Sequence, residues 1–192
     1  MTTAWKTMAL VVPAMLVAAC TNGDRAPAEA AMQAASAAME SLKGDATKYA
    51  PEEVKALESA YGVARASLAN KDYQGVISFS RDIPARAKEA LAKAEAAKGE
   101  LARSWKEAGD GVMKALDAAK HRLAGSKKPP AGMGKEALAR AHAEIASIEA
   151  GWAAAAAQYQ SGDLKGAVAR ATELDSRSRD LLASLGPGKA AP

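Results

Sequence analysis

The sequence predicts an all-α protein, an elongated bundle of five or six helices built from two similar helical hairpins. Three observations carry this. Of 94 apolar residues 51 are alanine, the best helix former. Valine, isoleucine, threonine and the aromatics together number only 26, too few for a sandwich, a barrel or a doubly wound sheet. Finally, apolar residues recur at three- and four-residue spacing along nearly the whole chain.

The first segment reads differently. Lys6 lies in a short positive start, and Met8 to Ala19 is apolar apart from Pro13. The run ends in Val17-Ala18-Ala19-Cys20, and polar residues follow at once. A positive start, about a dozen apolar residues and small residues before a cut make a secretory signal. Spanning a bilayer takes roughly 20 apolar residues, so the run is too short for a membrane helix. An aliphatic residue, two small residues and a cysteine resemble the lipobox of bacterial lipoproteins. The resemblance implies lipid attachment to Cys20, cleavage after Ala19 and acylation of the new amino terminus. Cys20 is the only cysteine, so it has no intramolecular disulfide partner. Thr21 stands where an inner-membrane retention signal has Asp. By resemblance to enterobacterial sorting, this favours the outer membrane, facing the periplasm.

The expected organisation is a signal peptide at 1–19, a lipidated tether at 20–28 and a first helical region at 29–124. A loop at 125–133, a second hairpin at 134–186 and a disordered tail at 187–192 complete it. Met32, Ala35, Met39 and Leu42 form the first stripe, which Gly44-Asp45 ends. Pro51 opens the second helix at a first-turn position where its missing N–H costs nothing, with Glu52 and Glu53 behind it at the positive helix start. Its stripe is Val54, Leu57, Tyr61, Ala64 and Leu68. After the Asn70-Lys71 turn, Asp72 reads as an N-cap. The third stripe runs Tyr73, Val76, Ser80, Ile83, Ala87, Ala90, Ala94 and continues through Leu101, Trp105, Ala108, Val112, Ala115, Ala119 and Leu123. Here the reading is either one long bent helix or two nearly collinear ones. Pro84 removes an internal hydrogen bond, and Gly99, Gly109 and Gly111 each weaken the helix by about 1 kcal/mol relative to Ala. Gly125 to Gly132 is a loop. Leu138, Ala141, Ile145, Ile148, Trp152, Ala155 and Tyr159 form the fourth stripe; Asp163 caps the last helix, whose stripe runs from Leu164 to Leu185.

A shift of 91 positions superposes the two halves without a gap. Val54 falls on Ile145, Leu57 on Ile148, Tyr61 on Trp152, Asp72 on Asp163, Gly75 on Gly166, Ile83 on Leu174 and Arg86 on Arg177. The pattern is an internal duplication of a helical hairpin. Tyr61 and Trp152 are expected at equivalent buried positions. Four acid-before-base pairs at i,i+4 are expected along the outer faces: Glu89–Lys93, Glu136–Arg140, Glu173–Arg177 and Asp175–Arg179.

Tyr49-Ala50-Pro51-Glu52-Glu53, followed by Asn70-Lys71-Asp72-Tyr73-Gln74-Gly75-Val76, resembles an uncharacterised α-helical domain of proteobacterial envelope lipoproteins. That family has a Tyr-Ala-Pro-x-Glu helix start and a Gly-Asp-Tyr-x-x-Ala turn, and some members carry it before a peptidoglycan-binding domain of the outer-membrane-protein-A type. The match covers roughly residues 28–95. Asn70-Lys71 stands where Gly is usual, and Gly75-Val76 interrupts the usual alanine-rich continuation. The resemblance implies an envelope location and a helical fold, and supplies no activity.

Chemistry-bearing motifs are few. His121 and His142 have no convincing ligand spacing around them, so no metal is expected, and no cofactor beyond the covalent lipid on Cys20. Gly109-Asp110-Gly111 lacks the third glycine and the strand of a dinucleotide loop. After cleavage the formal charge is +3, with no concentrated positive face, so nucleic acid is not an expected partner. The expected role is a non-catalytic, lipid-anchored interaction or scaffold module, not an enzyme, held at the membrane by its anchor and engaging another envelope protein. The competing class is a small-ligand-binding or enzymatic bundle with a pocket between hairpins. Trp105, Trp152 and Tyr61 are the candidate ligand or partner contacts, with core packing as their ordinary use. The oligomeric state is left open.

Overall fold

The computed structural model describes residues 24–124 and 133–186. Helices account for nearly all of them: α1 (Arg25–Ser41), α2 (Asp45–Tyr49), α3 (Pro51–Ala69), α4 (Tyr73–Ser80), α5 (Ile83–Ala124), α6 (Lys135–Gln160) and α7 (Leu164–Ser184). Six have eight or more residues and α2 is a five-residue turn of helix, with no strand among the described residues. The all-α fold follows.

The expected stripes are the buried faces. Val54, Leu57 and Ala64 on α3, Val76 and Ser80 on α4, and Ile83, Ala87, Ala90 and Ala94 on α5 are buried. So are Ala141, Ile145, Ile148 and Ala155 on α6, and Ala167, Ala171, Leu174 and Leu181 on α7. Helix separation depends on the side chains at the contact, so alanine-lined faces favour close approach of the backbones.

Two compact units divide the chain between Ala94 and Glu95, inside α5 and not at the expected 125–133 loop. The first holds α1 to α4 and the start of α5, and the second holds the rest of α5 with α6 and α7. In the first, Ala28 and Met32 of α1 pack with Ala64 and Val76. Ala35 and Leu42 pack with Val54, Leu57, Ile83, Ala87, Ala90 and Ala94. In the second, Val112, Leu116, Ala119 and Leu123 of α5 pack with Ile145, Ile148, Leu174, Leu181 and Leu185. The duplicated hairpin therefore closes each time on a preceding helix, α1 in one unit and the later part of α5 in the other.

Several boundaries differ from expectation. Helix α1 begins at Arg25, inside the segment read as tether, because Ala28 and Met32 bury against the hairpin and draw the helix start with them. Between α4 and α5 the helix breaks at Arg81-Asp82, two residues before Pro84. Proline carries no N–H for the Ser80 carbonyl and its ring crowds that carbonyl, so it sits in the first turn of a new helix. The equivalent position in the second hairpin is Asp175, and α7 runs through unbroken. Beyond the break α5 is a single 42-residue helix that passes Gly99, Gly109 and Gly111 without interruption.

Candidate functional site

The two hairpin turns match bond for bond. At the first, the Lys71 N–H donates to the Leu68 carbonyl (3.0 Å) and the Asp72 N–H to the Ser67 carbonyl (2.9 Å). At the second, the Gly162 N–H donates to Tyr159 (3.1 Å) and the Asp163 N–H to Gln158 (3.0 Å). This pair of bonds ends a helix by satisfying its last carbonyls, and it requires a left-handed residue at the turn. Gly162 takes that conformation at φ 85°; Lys71 takes it at φ 61° despite its side chain. Each aspartate then caps the next helix, Asp72 accepting from the Gly75 N–H (2.9 Å) and Asp163 from the Gly166 N–H (3.0 Å). A Cβ on Gly75 or Gly166 would fall 2.0 or 2.2 Å from the capping carboxylate, which accounts for the glycine three residues after each aspartate.

The candidate aromatics divide between the units. Tyr61 is half-buried in the first, packed against both of its apolar clusters. Trp105 and Trp152 meet in the second, with ring centroids 4.6 Å apart and planes 12° from parallel. Tyr159, the last residue of the expected α6 stripe, joins them. It stacks on the same Trp105 ring at 4.7 Å and 18°. Trp152 and Tyr159 lie seven residues apart on α6, about 10.5 Å of rise, so an indole close to both is wedged between them. The seven-residue spacing is the signal that was present in the sequence; the partner from α5 was not. Gly109 makes room for the arrangement, since a Cβ there would lie 2.9 Å from Cη2 of Trp152. All three rings are half-buried; Trp152 and Tyr61, expected at buried positions, each pack against a core cluster while keeping part of the ring exposed.

Charges cross between helices more than the sequence suggested. Lys93 does not turn back to Glu89 but reaches Glu53 on α3 (2.6 Å). That hydrogen bond holds the Glu53 carboxyl below its ordinary value and the Lys93 ammonium above its own. Arg177 likewise leaves Glu173 and grips Glu144 on α6 (2.8 Å) and the Ser147 hydroxyl (3.0 Å). Glu53 and Glu144 are equivalent under the 91-residue shift, so each hairpin is tied by a bridge to the same acid. Asp175–Arg179 forms along α7 as expected. Lys120 pairs with Glu149 (2.7 Å), and this contact holds its ammonium above the ordinary value. Arg122 donates to the Leu182 carbonyl (2.8 Å) and to Gly186, capping the C-terminal end of α7, where a cation is favoured.

Three open surface depressions stand out. One lies between α3 and α5 beside Glu52, Glu53, Arg86, Glu89 and Lys93 (about 320 Å³), and one lies at Arg122, Arg179 and Leu182 (about 380 Å³). The third, about 600 Å³, runs along α6 and α7 over Ser147, Gly151, Gln158, Gly166, Arg170 and Arg177. Tyr61, Trp105 and Trp152 line none of the three. The aromatics thus hold helices together rather than line these depressions. His121 and His142 are both exposed, and no group of three metal-ligating side chains occurs among the described residues. No helix among the described residues is long and apolar enough to cross a membrane. Val17, Ala18, Ala19 and Cys20 lie outside the described residues, as do Lys127-Lys128 of the loop and the tail at 187–192. Compared with known proteins, the chain matches no family model, no curated protein and no solved structure.

Proposed function

We propose that this protein is an envelope lipoprotein, anchored through acyl chains on Cys20, facing the periplasm from the outer membrane and serving as a non-catalytic helical interaction or scaffold module. The observation that carries the reading is Val17-Ala18-Ala19-Cys20 at the end of an apolar run, only four residues ahead of Asp24, where the packed helical body begins. Several acyl chains on one residue make a stable anchor, at about 0.8 kcal/mol per buried methylene. The resemblance of residues 28–95 to a helical domain of proteobacterial envelope lipoproteins points the same way. Two units of packed helices, each with ion pairs between neighbouring helices, suit the presentation of a surface to another envelope protein.

The test is fractionation. The parent protein should sediment with outer membranes and resist extraction by salt and alkaline carbonate. Cys20→Ser should leave the membrane fraction. A parent protein recovered in the soluble periplasmic fraction would refute the reading.

A further inference from the structure

The start of α1 is fixed in place. The Asp24 carboxylate accepts from the Gln74 side-chain amide of α4 (2.7 Å), and its carbonyl accepts from the Ala28 N–H (3.0 Å). One turn on, Ala28 is fully buried and Met32 nearly so against Ala64 and Val76. Asp24 is thereby held at one end of the first unit, beside the α3–α4 turn of Asn70, Lys71 and Asp72. The other end is well separated: α1 has 17 residues, about 25 Å of rise, before Leu42 meets Ala46, Ala50 and Val54. Four peptide steps separate Cys20 from Asp24, and in any conformation they reach at most about 14 Å.

We infer that the end of the first unit bearing the Asn70–Lys71–Asp72 turn and the start of α1 is its membrane-facing surface, resting against the bilayer that holds the Cys20 acyl chains. The inference rests on the lipid anchor proposed above. The bilayer is the occupant because the chain leading to the anchor leaves from this end and is shorter than α1 itself. Charge does not set the contact: this end carries Asp24, Glu29 and Asp72 beside Arg25 and Lys71, with Arg25 paired to Glu29 (2.8 Å), which leaves no cationic excess to attract anionic headgroups. The contact is therefore insensitive to salt. The Ser41–Gly44 end of the first unit lies away from the bilayer.

Cys20 is the sole cysteine and is consumed by acylation, so an added cysteine is the only free thiol. Asn70 and Lys43 are both exposed and mark the two ends. Full-length lipidated Asn70→Cys and Lys43→Cys, each labelled with bimane, are reconstituted in phosphatidylethanolamine–phosphatidylglycerol vesicles carrying headgroup spin-labelled lipid. Flotation is read first. Protein that does not float, or a parent whose Cys20 takes up bimane, overturns the anchor and this inference with it. For floating protein the expected result is quenching several-fold stronger at position 70 than at position 43, unchanged in high salt. Equal quenching at both positions shows α1 lying flat on the membrane and overturns the inference while leaving the anchor intact. Stronger quenching at 43 does the same. Excimer formation between copies labelled with pyrene at position 70, without lipid quenching, overturns it in favour of a second copy covering that end.

Discussion

Gly99 and Gly109 sit ten residues apart within one helix, and the same substitution should stabilise at the first and not at the second. A Cβ at Gly99 meets nothing within 4 Å. Gly99→Ala therefore collects the full helix-propensity gain of about 0.8–1 kcal/mol. At Gly109 the added methyl would lie 2.9 Å from Cη2 and 3.3 Å from Cζ2 of Trp152. One face of that ring is stacked on Trp105 with centroids 4.6 Å apart, which limits its retreat. Overpacking of this kind costs about 1–3 kcal/mol, so after the propensity gain Gly109→Ala should be neutral to about 2 kcal/mol destabilising. For a chain of this length each kcal/mol moves Tm by roughly 2–4 °C. Thermal unfolding followed by far-UV circular dichroism should place the Gly99 variant above the parent and the Gly109 variant at or below it. The near-UV spectrum of the stacked tryptophans should change only for Gly109→Ala. Two variants equally stabilised, with identical near-UV spectra, would show that Gly109 is not the seat of the Trp152 ring.

Three further outcomes follow from the geometry. Trp105→Ala removes the central ring of the stack; because that ring is only half-buried, the loss should fall toward the lower end of the roughly 3–5 kcal/mol typical of buried aromatics, and a Tm unchanged from the parent would deny its structural role. Asp72→Ala and Asp163→Ala should each cost about 1 kcal/mol by thermal or urea unfolding, with Asn restoring most of it at both sites, since the two caps make the same bond. The Glu53–Lys93 bridge should matter at neutral pH and fade at both extremes. Glu53 titrates lower when folded, so its contribution is complete above the ordinary carboxylate value of 4.5 and is lost as pH falls through the depressed one; Lys93 titrates higher, so its share is complete below 10.5 and is lost as pH rises through the elevated value. In urea titrations across pH, Glu53→Gln should flatten the acid side of the parent profile, and parallel profiles would refute the bridge.

The parts of the fold that were legible in the sequence are those written in local chemistry. Asp72 and Asp163 declare themselves as caps because a carboxylate before an apolar run has one favoured use there. The stripes on α3, α6 and α7 give the buried faces because apolar burial follows helical period directly. What the sequence did not show depends on contacts between distant residues. Lys93 and Arg177 each had an acid four residues before them, yet both cross to the neighbouring helix, because their long side chains reach an acid held at the hairpin seam. Gly109 looks like a weak point in a helix until the Trp152 ring is placed against it. Lys71 looks like an ordinary turn residue, and only the match with Gly162 shows that it is held left-handed by the same hydrogen bonds. The closure of each hairpin on a third helix was also hidden, because α1 and the later part of α5 do not obey the 91-residue shift. Of the candidate aromatics, Trp105 and Trp152 meet each other and Tyr61 belongs to the other unit, a division that spacing along the chain does not encode.

The central claim, a lipid anchor on Cys20 ahead of a helical body, is tested most directly by the intact mass of the protein extracted from membranes by detergent. The account predicts a chain that begins at Cys20, lacks residues 1–19 and carries a diacylglyceryl group on sulfur together with an acyl group on its amino terminus, and it predicts that this species disappears in Cys20→Ser. A mature chain with an unmodified Cys20 thiol, or one that still carries residues 1–19, would contradict it.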